Sequence, residues 1–307
     1  PDMIKVLLHC KRFQFLVCAD IFRAVLQFKI NPDHRTFLRS LWPPGISENP
    51  RAKWREFWNT SLDFGLVCSP WLHCQGIRFH LESEAASDPK KAPLVREVID
   101  TYFMDDLFTG ADSLNEASQK IKLLFDIFQS GKFPLRKWAS DSKELADFIK
   151  STVPFPDVNV NFAESQAKLL GLKWNQVADT IGVFTGEALA ELKSGKPTKR
   201  KLLKGLDSVF DPLGLLSPVT IRAKILLQSL WTKGRDWDDE LVDQELSDFV
   251  EFQQTLERLA DFKIPRSFAT SGKQIKKREL HTFRDASLRA FGCVSYIRDT
   301  FEDDTTR

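Results

Sequence analysis

Long hydrophobic runs, paired cysteines and a dominant charge are all missing from this 307-residue sequence. No apolar stretch approaches the roughly 20 residues of a membrane-spanning helix, and there is no secretory signal, so we expect no membrane partner. The five cysteines include no CxxC pair and are odd in number. They favour a reduced intracellular protein, cytoplasmic or nuclear, over a disulfide framework.

Zinc binding and a globally basic surface are also disfavoured. Cys68, His73 and Cys74 lack a second half-site with ligand spacing, so the thiols are interpreted as buried or incidental. The 44 Lys and Arg nearly balance the 42 Asp and Glu, so any surface for nucleic acid must be local. The chain begins PDMIKVLL and ends EDDTTR, which we interpret as a fragment at both ends.

The first part of the chain favours an α+β fold. FQFLVCAD (13–20) and FPLRKWAS (133–140) are strand-like, and SPWLHCQGIRFHLESEA (69–85) has helical periodicity. Ser113 and Glu116 form a capping-box pattern before a second helix, with Gly131 as its stop. LVREVIDTYFMDDLF is interpreted as a hairpin. These elements predict an antiparallel sheet covered on one face by helices.

The second part is predicted to be mainly helical. A polar loop over 43–50 and a charge-dense linker over 187–201 are the clearest breaks along the chain. Helices are predicted from Thr198, over 219–231 and over 238–260, and ELHTFRDASLRAFGCVSYIR then indicates two strands with a turn at Asp285. The boundaries predict domains at 1–186, 187–275 and 276–307.

Two adjacent aspartates, Asp105 and Asp106, stand at the bend of that predicted hairpin. A solvated turn is one interpretation, because Asp is a favoured turn residue. The other is a bound cation, which would offset the repulsion between the carboxylates. Asp20 closes another predicted strand, and three carboxylates at adjacent strand ends suit Mg²⁺ or Mn²⁺.

The ordered motifs LVCADIFRAV, FGLVCSPW, YFMDDLFTGADS, FPLRKWAS, KLLGLKW and DSVFDPLGLLSPV resemble those of BEL/Pao-type retrotransposon polyproteins. ELHTFRDAS resembles the opening of their ribonuclease H region. The resemblance implies a reverse-transcriptase palm at 1–186 with most of the fingers missing, a helical thumb and connection at 187–275, and a truncated ribonuclease H-like start at 276–307.

The resemblance also implies roles for individual residues. Asp20, Asp105 and Asp106 match the catalytic, metal-binding aspartates of reverse transcriptases. Nucleotide and template binding falls to Val25, Gly65 and Lys137, although a solvated strand lysine is the alternative for Lys137. The primer grip falls to Leu170, Gly171 and Leu172. Asp285 matches the first acidic residue of ribonuclease H.

The implied activity is RNA-directed DNA polymerisation by two-metal chemistry, with an RNA or DNA template–primer and deoxynucleoside triphosphates as partners. The alternative is a degenerate or domesticated remnant that binds nucleic acid without catalysis, so enzyme status stays open, as does the oligomeric state. Part of the chain also resembles a segment labelled Pao retrotransposon peptidase. No DTG or DSG triplet occurs, which argues against an aspartic peptidase.

Several departures from the family pattern bear on activity. Val25 stands where an aromatic residue usually blocks a ribose 2′-hydroxyl, and Phe103 replaces a tyrosine. Arg284 precedes Asp285 and is predicted to neutralise it. The acids that follow the second strand of this region are interpreted as a solvated end; these are Asp299, Glu302, Asp303 and Asp304.

A basic cluster marks the start of the predicted thumb. It is defined by Lys196, Lys199, Arg200, Lys201 and Lys204. Contact with backbone phosphates is one interpretation, and a solvated helix start is the other.

Overall fold

A computed structural model describes residues 2–42, 54–154, 166–269 and 274–307. The chain forms two compact units, Pro1–Asn161 and Phe162–Arg307. The predicted domain limits at 186 and 275 stay predictions, and the predicted loop at 43–50 lies outside the described residues.

The first unit has five helices and five strands in its described residues. In chain order they are α1 (Met3–Cys10), β1 (Phe15–Ile21), β2 (Arg39–Trp42), β3 (Arg55–Trp58), α2 (Ser69–Ser87), α3 (Ala92–Thr101), β4 (Asp106–Ala111), α4 (Leu114–Ser130), β5 (Leu135–Ser140) and α5 (Lys143–Thr152).

A three-stranded antiparallel sheet in the order β4-β1-β5 is the centre of this unit. Alternate residues of β1, namely Val17, Ala19 and Ile21, lie on one face and enter the main hydrophobic core. The same core receives apolar residues from α2, α3, α4 and α5. The coarse prediction of antiparallel strands with helices packed against them is confirmed, and strand β5 and helix α2 lie where the sequence predicted them.

The predicted hairpin around Asp105 and Asp106 is wrong in its first half. Residues 92–101 form helix α3, and only the part from Asp106 onward is a strand. The buried residues Leu94, Val95 and Val98 repeat at helical spacing, so amphipathic burial outweighs the β-propensity of the valines. The acidic pair therefore joins a helix to a strand.

Capping residues define helix α4. The Ser113 side chain accepts a hydrogen bond from the Glu116 amide, as the predicted cap requires. Gly131 is the C-cap with φ of −79°, and Lys132 takes the left-handed conformation with φ of 61°. The helix stops where predicted, but the following lysine makes the backbone reversal.

The second unit has four helices and six strands in its described residues. In chain order they are β6 (Gln166–Leu169), β7 (Leu172–Asn175), β8 (Thr180–Gly182), α6 (Gly186–Lys193), α7 (Lys199–Asp207), α8 (Ser217–Thr232), α9 (Asp243–Arg258), β9 (Lys263–Pro265), β10 (Ile275–Ala286) and β11 (Phe291–Phe301).

Helices α7, α8 and α9 confirm the three predicted ones. The prediction of a charge-dense linker over 187–201 is partly wrong. Residues 186–193 form helix α6, and its residues Ala188 and Leu192 are buried. No helix in the described part of the chain is long and apolar enough to cross a bilayer.

Strands β10 and β11 form an antiparallel ribbon, so the two strands predicted for this region are present. The predicted turn at Asp285 is wrong, because Asp285 pairs with Gly292 within the ribbon and the turn lies at residues 287–290. The prediction that Asp299 belongs to a solvated end is wrong. Its side chain is 5% exposed and accepts two hydrogen bonds from the Arg278 guanidinium, at 2.6 and 2.7 Å. Such a two-point contact needs the cross-strand register that pairs these residues, which is not visible in the sequence.

Candidate functional site

Strand register brings two of the predicted catalytic residues together. In the β1–β4 pair, Asp20 lies directly opposite Asp106. The next residue of β1, Ile21, donates its amide to the Asp105 carbonyl at 2.8 Å. All three aspartates therefore lie at one end of the sheet, and the main chain of β1 fixes the corner that carries Asp105.

A two-residue turn presents the Asp105 side chain. Phe103 and Asp106 exchange amide–carbonyl hydrogen bonds of 2.9 and 3.0 Å, which leaves Met104 and Asp105 at the corners. Met104 has φ of 56°, a left-handed value that a residue with a side chain adopts at some cost. Asp105 is exposed at the second corner, while Asp106 is half-buried.

A β-bulge in β5 directs Lys137 toward Asp20. Pairing with β1 shifts between Cys18↔Ala139 and Asp20↔Arg136, and Lys137 within the shift has φ of 50°. Its Nζ lies 3.0 Å from Asp20 Oδ2. This hydrogen bond and the Asp20 charge raise the pKa of Lys137, so the ammonium stays charged.

The carboxylates at this end of the sheet repel one another. Burial, and then the negative charges of Asp105 and Asp20, raise the pKa of Asp106 to about 6, and Lys137 offsets only part of this. Lys137 therefore leaves part of the repulsion among these carboxylates uncompensated, and a bound cation would reduce it further.

The predicted nucleotide-binding residues line one cavity with two of the aspartates, Asp20 and Asp105. This cavity has a volume of about 660 Å³, and Asp20, Val25, Gly65, Asp105 and Lys137 are in its wall. Gly65 has φ of 86°, and no atom of the described residues lies within 4 Å of the place where its Cβ would project, so its backbone can be approached closely.

The sequence does not single out two cationic groups beside the cavity, the guanidinium groups of Arg23 and Arg136. The Phe22 ring lies beneath two guanidinium carbons, 5.0 Å from that of Arg23 and 4.3 Å from that of Arg136. Arg23, Arg136 and Lys137 thus add cationic groups to a wall that also holds carboxylates. The adjacency of Arg136 and Lys137 was the available signal, but the bulge that directs them was not predictable.

The sequence suggests only zinc binding as a role for His73, but the structure places this residue behind the Asp105 turn. It lies on the buried stripe of α2 with Ser69 and Ile77. Its Nε2 is 2.9 Å from the Met104 carbonyl oxygen. Burial lowers the pKa of His73, although the Met104 carbonyl and the Asp105 charge act in the opposite direction.

The aspartates suit a divalent cation in donor type and in charge, since carboxylate oxygens are preferred ligands of Mg²⁺. Among residues 2–42, 54–154, 166–269 and 274–307, however, no three His, Cys, Asp or Glu side chains are grouped closely enough to hold a metal. The Lys137 ammonium takes one oxygen of Asp20 instead. The predicted three-carboxylate metal site is therefore not preformed.

The predicted primer-grip residues lie in the second unit. Leu170 and Gly171 form the two-residue connection between β6 and β7, and both have positive φ, 46° and 86°. Leu172 begins β7 and is fully buried. A Cβ on Gly171 would lie 2.6 Å from the Phe210 ring, so both the backbone conformation and the neighbouring ring favour glycine here.

The basic cluster at the start of α7 is largely paired within the unit. Arg200 makes a two-point contact with Asp238, Lys196 contacts Glu240 at 2.8 Å, and Lys204 lies 3.8 Å from Glu191. Lys199 is buried, with its Nζ 4.2 and 4.9 Å from the Trp231 and Trp237 ring centroids. Lys201 donates to Ser194. The basic side chains are therefore neither all free to bind phosphate nor all solvated, because most of them have partners within the unit.

Asp285 is exposed near the end of β10, and its carboxylate accepts the Ala286 amide. Arg284 precedes it in the same strand, so the two side chains face opposite sides of the ribbon. The expected neutralisation of Asp285 by Arg284 is therefore wrong.

A comparison with protein families finds a match for the second part of the chain. Residues 198–307 match the Pao retrotransposon-like RNaseH-like domain, so the match begins at the N-cap of α7 and includes the predicted ribonuclease H start at 276. No curated protein matches the chain.

Solved structures of similar fold come from a foamy viral protease-reverse transcriptase. The complex of that protein with dsDNA is 13% identical, with a TM-score of 0.53 over 98% of this chain and 51% of the other. The complex with an RNA/DNA hybrid is 14% identical, with a TM-score of 0.50 over 98% and 33%. This chain thus spans about half or less of those chains, and at this identity the likeness concerns the fold. The finding that points to a retroelement polyprotein is the family match over residues 198–307.

Proposed function

We propose that this chain is part of an RNA-directed DNA polymerase of a retroelement, with Asp20, Asp105 and Asp106 as its catalytic carboxylates. One observation carries the proposal. Asp20 faces Asp106 across β1 and β4, and Asp20 and Asp105 line a cavity with Val25 and Gly65. Residues distant in sequence thus meet where the resemblance requires a nucleotide to bind.

The proposed partners are an RNA or DNA template–primer and deoxynucleoside triphosphates, inside the cell, in the cytoplasm or nucleus. The foamy viral structures of similar fold hold dsDNA and an RNA/DNA hybrid, which supports nucleic acid as the partner class. A cavity of about 660 Å³ is ample for one nucleotide, within the usual range for small-molecule sites.

The three aspartates would hold Mg²⁺ or Mn²⁺, which when bound would activate the primer 3′-hydroxyl and stabilise the departing oxygen. The protein's own contribution is positional. The β1–β4 register sets Asp20 against Asp106, and Gly65 leaves room for the nucleotide. Lys137 and Arg136 offer positive charge toward phosphate oxygens.

A second candidate is a remnant that binds nucleic acid without catalysis. The Lys137–Asp20 contact of 3.0 Å favours it, because it neutralises a carboxylate that a metal ion would need. A polymerase requires that a metal ion displace the Lys137 ammonium from Asp20, whereas a non-catalytic remnant does not.

Primer extension on an RNA template, with and without Mg²⁺, tests the proposal. We expect Mg²⁺-dependent extension by the full chain, lost in Asp105→Asn and retained in Asp285→Asn. The second variant is a matched control, because Asp285 is also an exposed aspartate but lies in the other unit. Template–primer binding without extension in the unmodified chain would favour the remnant.

A further inference from the structure

The Asp105 turn is held from outside at both of its corners. The Asp105 carbonyl accepts the Ile21 amide of β1, and the Met104 carbonyl faces Nε2 of His73 in α2. The first contact belongs to the sheet and depends only on the backbone. The second depends on one side chain, from a helix that begins 35 residues earlier in the chain.

The hydrogen-bond direction at His73 is fixed by chemistry. A carbonyl oxygen can only accept a hydrogen bond, so Nε2 must carry the proton and donate the hydrogen bond to the Met104 carbonyl. The other ring nitrogen, Nδ1, is buried and has no hydrogen-bond partner among the residues that the structure describes. The imidazole therefore supports the turn at Met104, the corner residue that has a left-handed φ of 56°.

Packing fixes the orientation of the imidazole ring. The Phe28 ring meets it edge-on, with centroids 5.4 Å apart, and the Tyr102 ring lies 6.1 Å away. Gly76, one turn further along α2, makes room for Phe28, because a Cβ there would lie 2.0 Å from the Phe28 ring. His73 is 2% exposed, so it has little freedom to point elsewhere.

We propose that His73 is a positioning residue: by donating Nε2–H to the Met104 carbonyl it sets the orientation of the Asp105 corner relative to Asp20. The inference rests on the proposed function, in which these two carboxylates share metal ions. His73 does not touch the reacting groups. It acts through one main-chain carbonyl, as residues behind metal ligands commonly do.

The variants separate the donor from the bulk of the ring. His73→Gln keeps an amide donor at a reach similar to that of Nε2, whereas His73→Phe keeps a ring without a donor. His73→Met is a second donor-free variant in case His73→Phe does not fold. His80 supplies the control, since it lies on the same helix and its Nε2 is 2.7 Å from the Ile127 carbonyl of α4, away from the turn.

Hydrogen exchange of the Asp106 amide in the full chain is the first readout. This amide donates to Phe103 across the turn. We expect exchange about tenfold faster in His73→Phe and near the unmodified rate in His73→Gln and His80→Phe, since local opening governs exchange. Unchanged exchange in both donor-free variants, or equal acceleration in His73→Gln, overturns the positioning role.

Mn²⁺ affinity, measured from the electron paramagnetic resonance of free Mn²⁺, is the second readout. We expect about tenfold weaker binding in His73→Phe and recovery in His73→Gln, the usual scale for residues that orient metal ligands. Equal Mn²⁺ binding by the unmodified chain and Asp105→Asn overturns the proposed metal site, whereas the exchange result still decides the positioning of the turn. Asp105-dependent binding that His73→Phe leaves unchanged overturns only the link from His73 to the metal.

Discussion

Lys137 lies where a metal ion would have to compete with it. Its Nζ is 3.0 Å from Asp20, and its own side chain is 64% exposed, so the ion pair is weak enough to exchange. We expect Lys137→Met to bind Mn²⁺ roughly two- to fivefold more tightly, because exposed pairs contribute up to about 1 kcal/mol. Primer extension should nevertheless slow, because a positive charge facing the phosphates is lost.

Lys137→Arg is the matched control, since it keeps the charge and should keep the Mn²⁺ affinity near that of the unmodified chain. Titration of both variants with Mn²⁺ measures the difference. An affinity in Lys137→Met equal to that of Lys137→Arg would show that the ammonium does not compete with the metal.

Val25 lines the same cavity as Asp20. An aromatic side chain there should crowd a ribose 2′-hydroxyl, so Val25→Phe is expected to lower ribonucleotide use relative to deoxyribonucleotide use by about tenfold. Val67→Phe is the control, because Val67 also lines the cavity but is fully exposed. The measurement is the ratio of kcat/KM for the two nucleotide types, and an equal change in both variants would contradict a specific role for Val25.

At the scale of elements, the β6–β7 connection shows how a turn depends on one glycine. Gly171 and Gly234 both have positive φ, but only Gly171 faces a neighbouring ring. We expect Gly234→Ala to lower the free energy of unfolding by about 1 kcal/mol through backbone strain alone. Gly171→Ala should cost about 2 kcal/mol, because the Phe210 ring must also move.

Urea unfolding of the full chain, with both variants compared, measures this difference. The Phe210 side chain is partly exposed and can rotate, so its ring signals should shift in Gly171→Ala and remain in Gly234→Ala. Equal losses of stability in the two variants would show that the close approach of Phe210 to the turn has no energetic role.

The elements that the sequence predicts well are those whose signals are local. The Ser113 cap, the Thr198 cap and the strand at 135–140 depend on neighbours within a few residues. Helix α3 was mistaken for a strand because its valines favour β structure, while its burial period favours a helix. Tertiary packing decided between the two signals, and packing is not local.

Much of the candidate site also depends on register and irregularity. The facing of Asp20 and Asp106 agrees with the sequence-level expectation that the strand ends converge. The bulge at Lys137, the left-handed Met104 and the His73 contact have no sequence signature of comparable strength. The ion pairs of the basic cluster were not predictable for the same reason, because the acidic partners of Arg200 and Lys196 lie 38 and 44 residues away.

At the scale of the whole molecule, one half-buried carboxylate joins several elements of the first unit. Glu97 of α3 contacts Thr109 of β4 at 2.6 Å and Lys120 of α4 at 2.9 Å, and His9 of α1 lies 3.6 Å away. Burial alone would raise its pKa, but His9, Thr109 and Lys120 outweigh it and lower the pKa of Glu97 to about 2. The ionised form is therefore the one that the fold stabilises.

The sign of the resulting pH dependence follows from this lowered pKa. In the unfolded chain Glu97 titrates near its ordinary value, so the stabilisation is complete above that pKa and is lost as the pH falls toward about 2. At about 1.4 kcal/mol for each pKa unit, the loss amounts to at most about 3.5 kcal/mol. Glu97→Gln should make stability fall less steeply with decreasing pH, whereas Asp147→Asn, at an exposed carboxylate of α5, should leave the decline in place.

Urea unfolding between pH 5 and about 2.5 measures the slope of stability against pH, and hydrogen exchange at residues 92–111 isolates the first unit. A decline equally steep in Glu97→Gln would mean that another carboxylate governs the acid sensitivity of this unit.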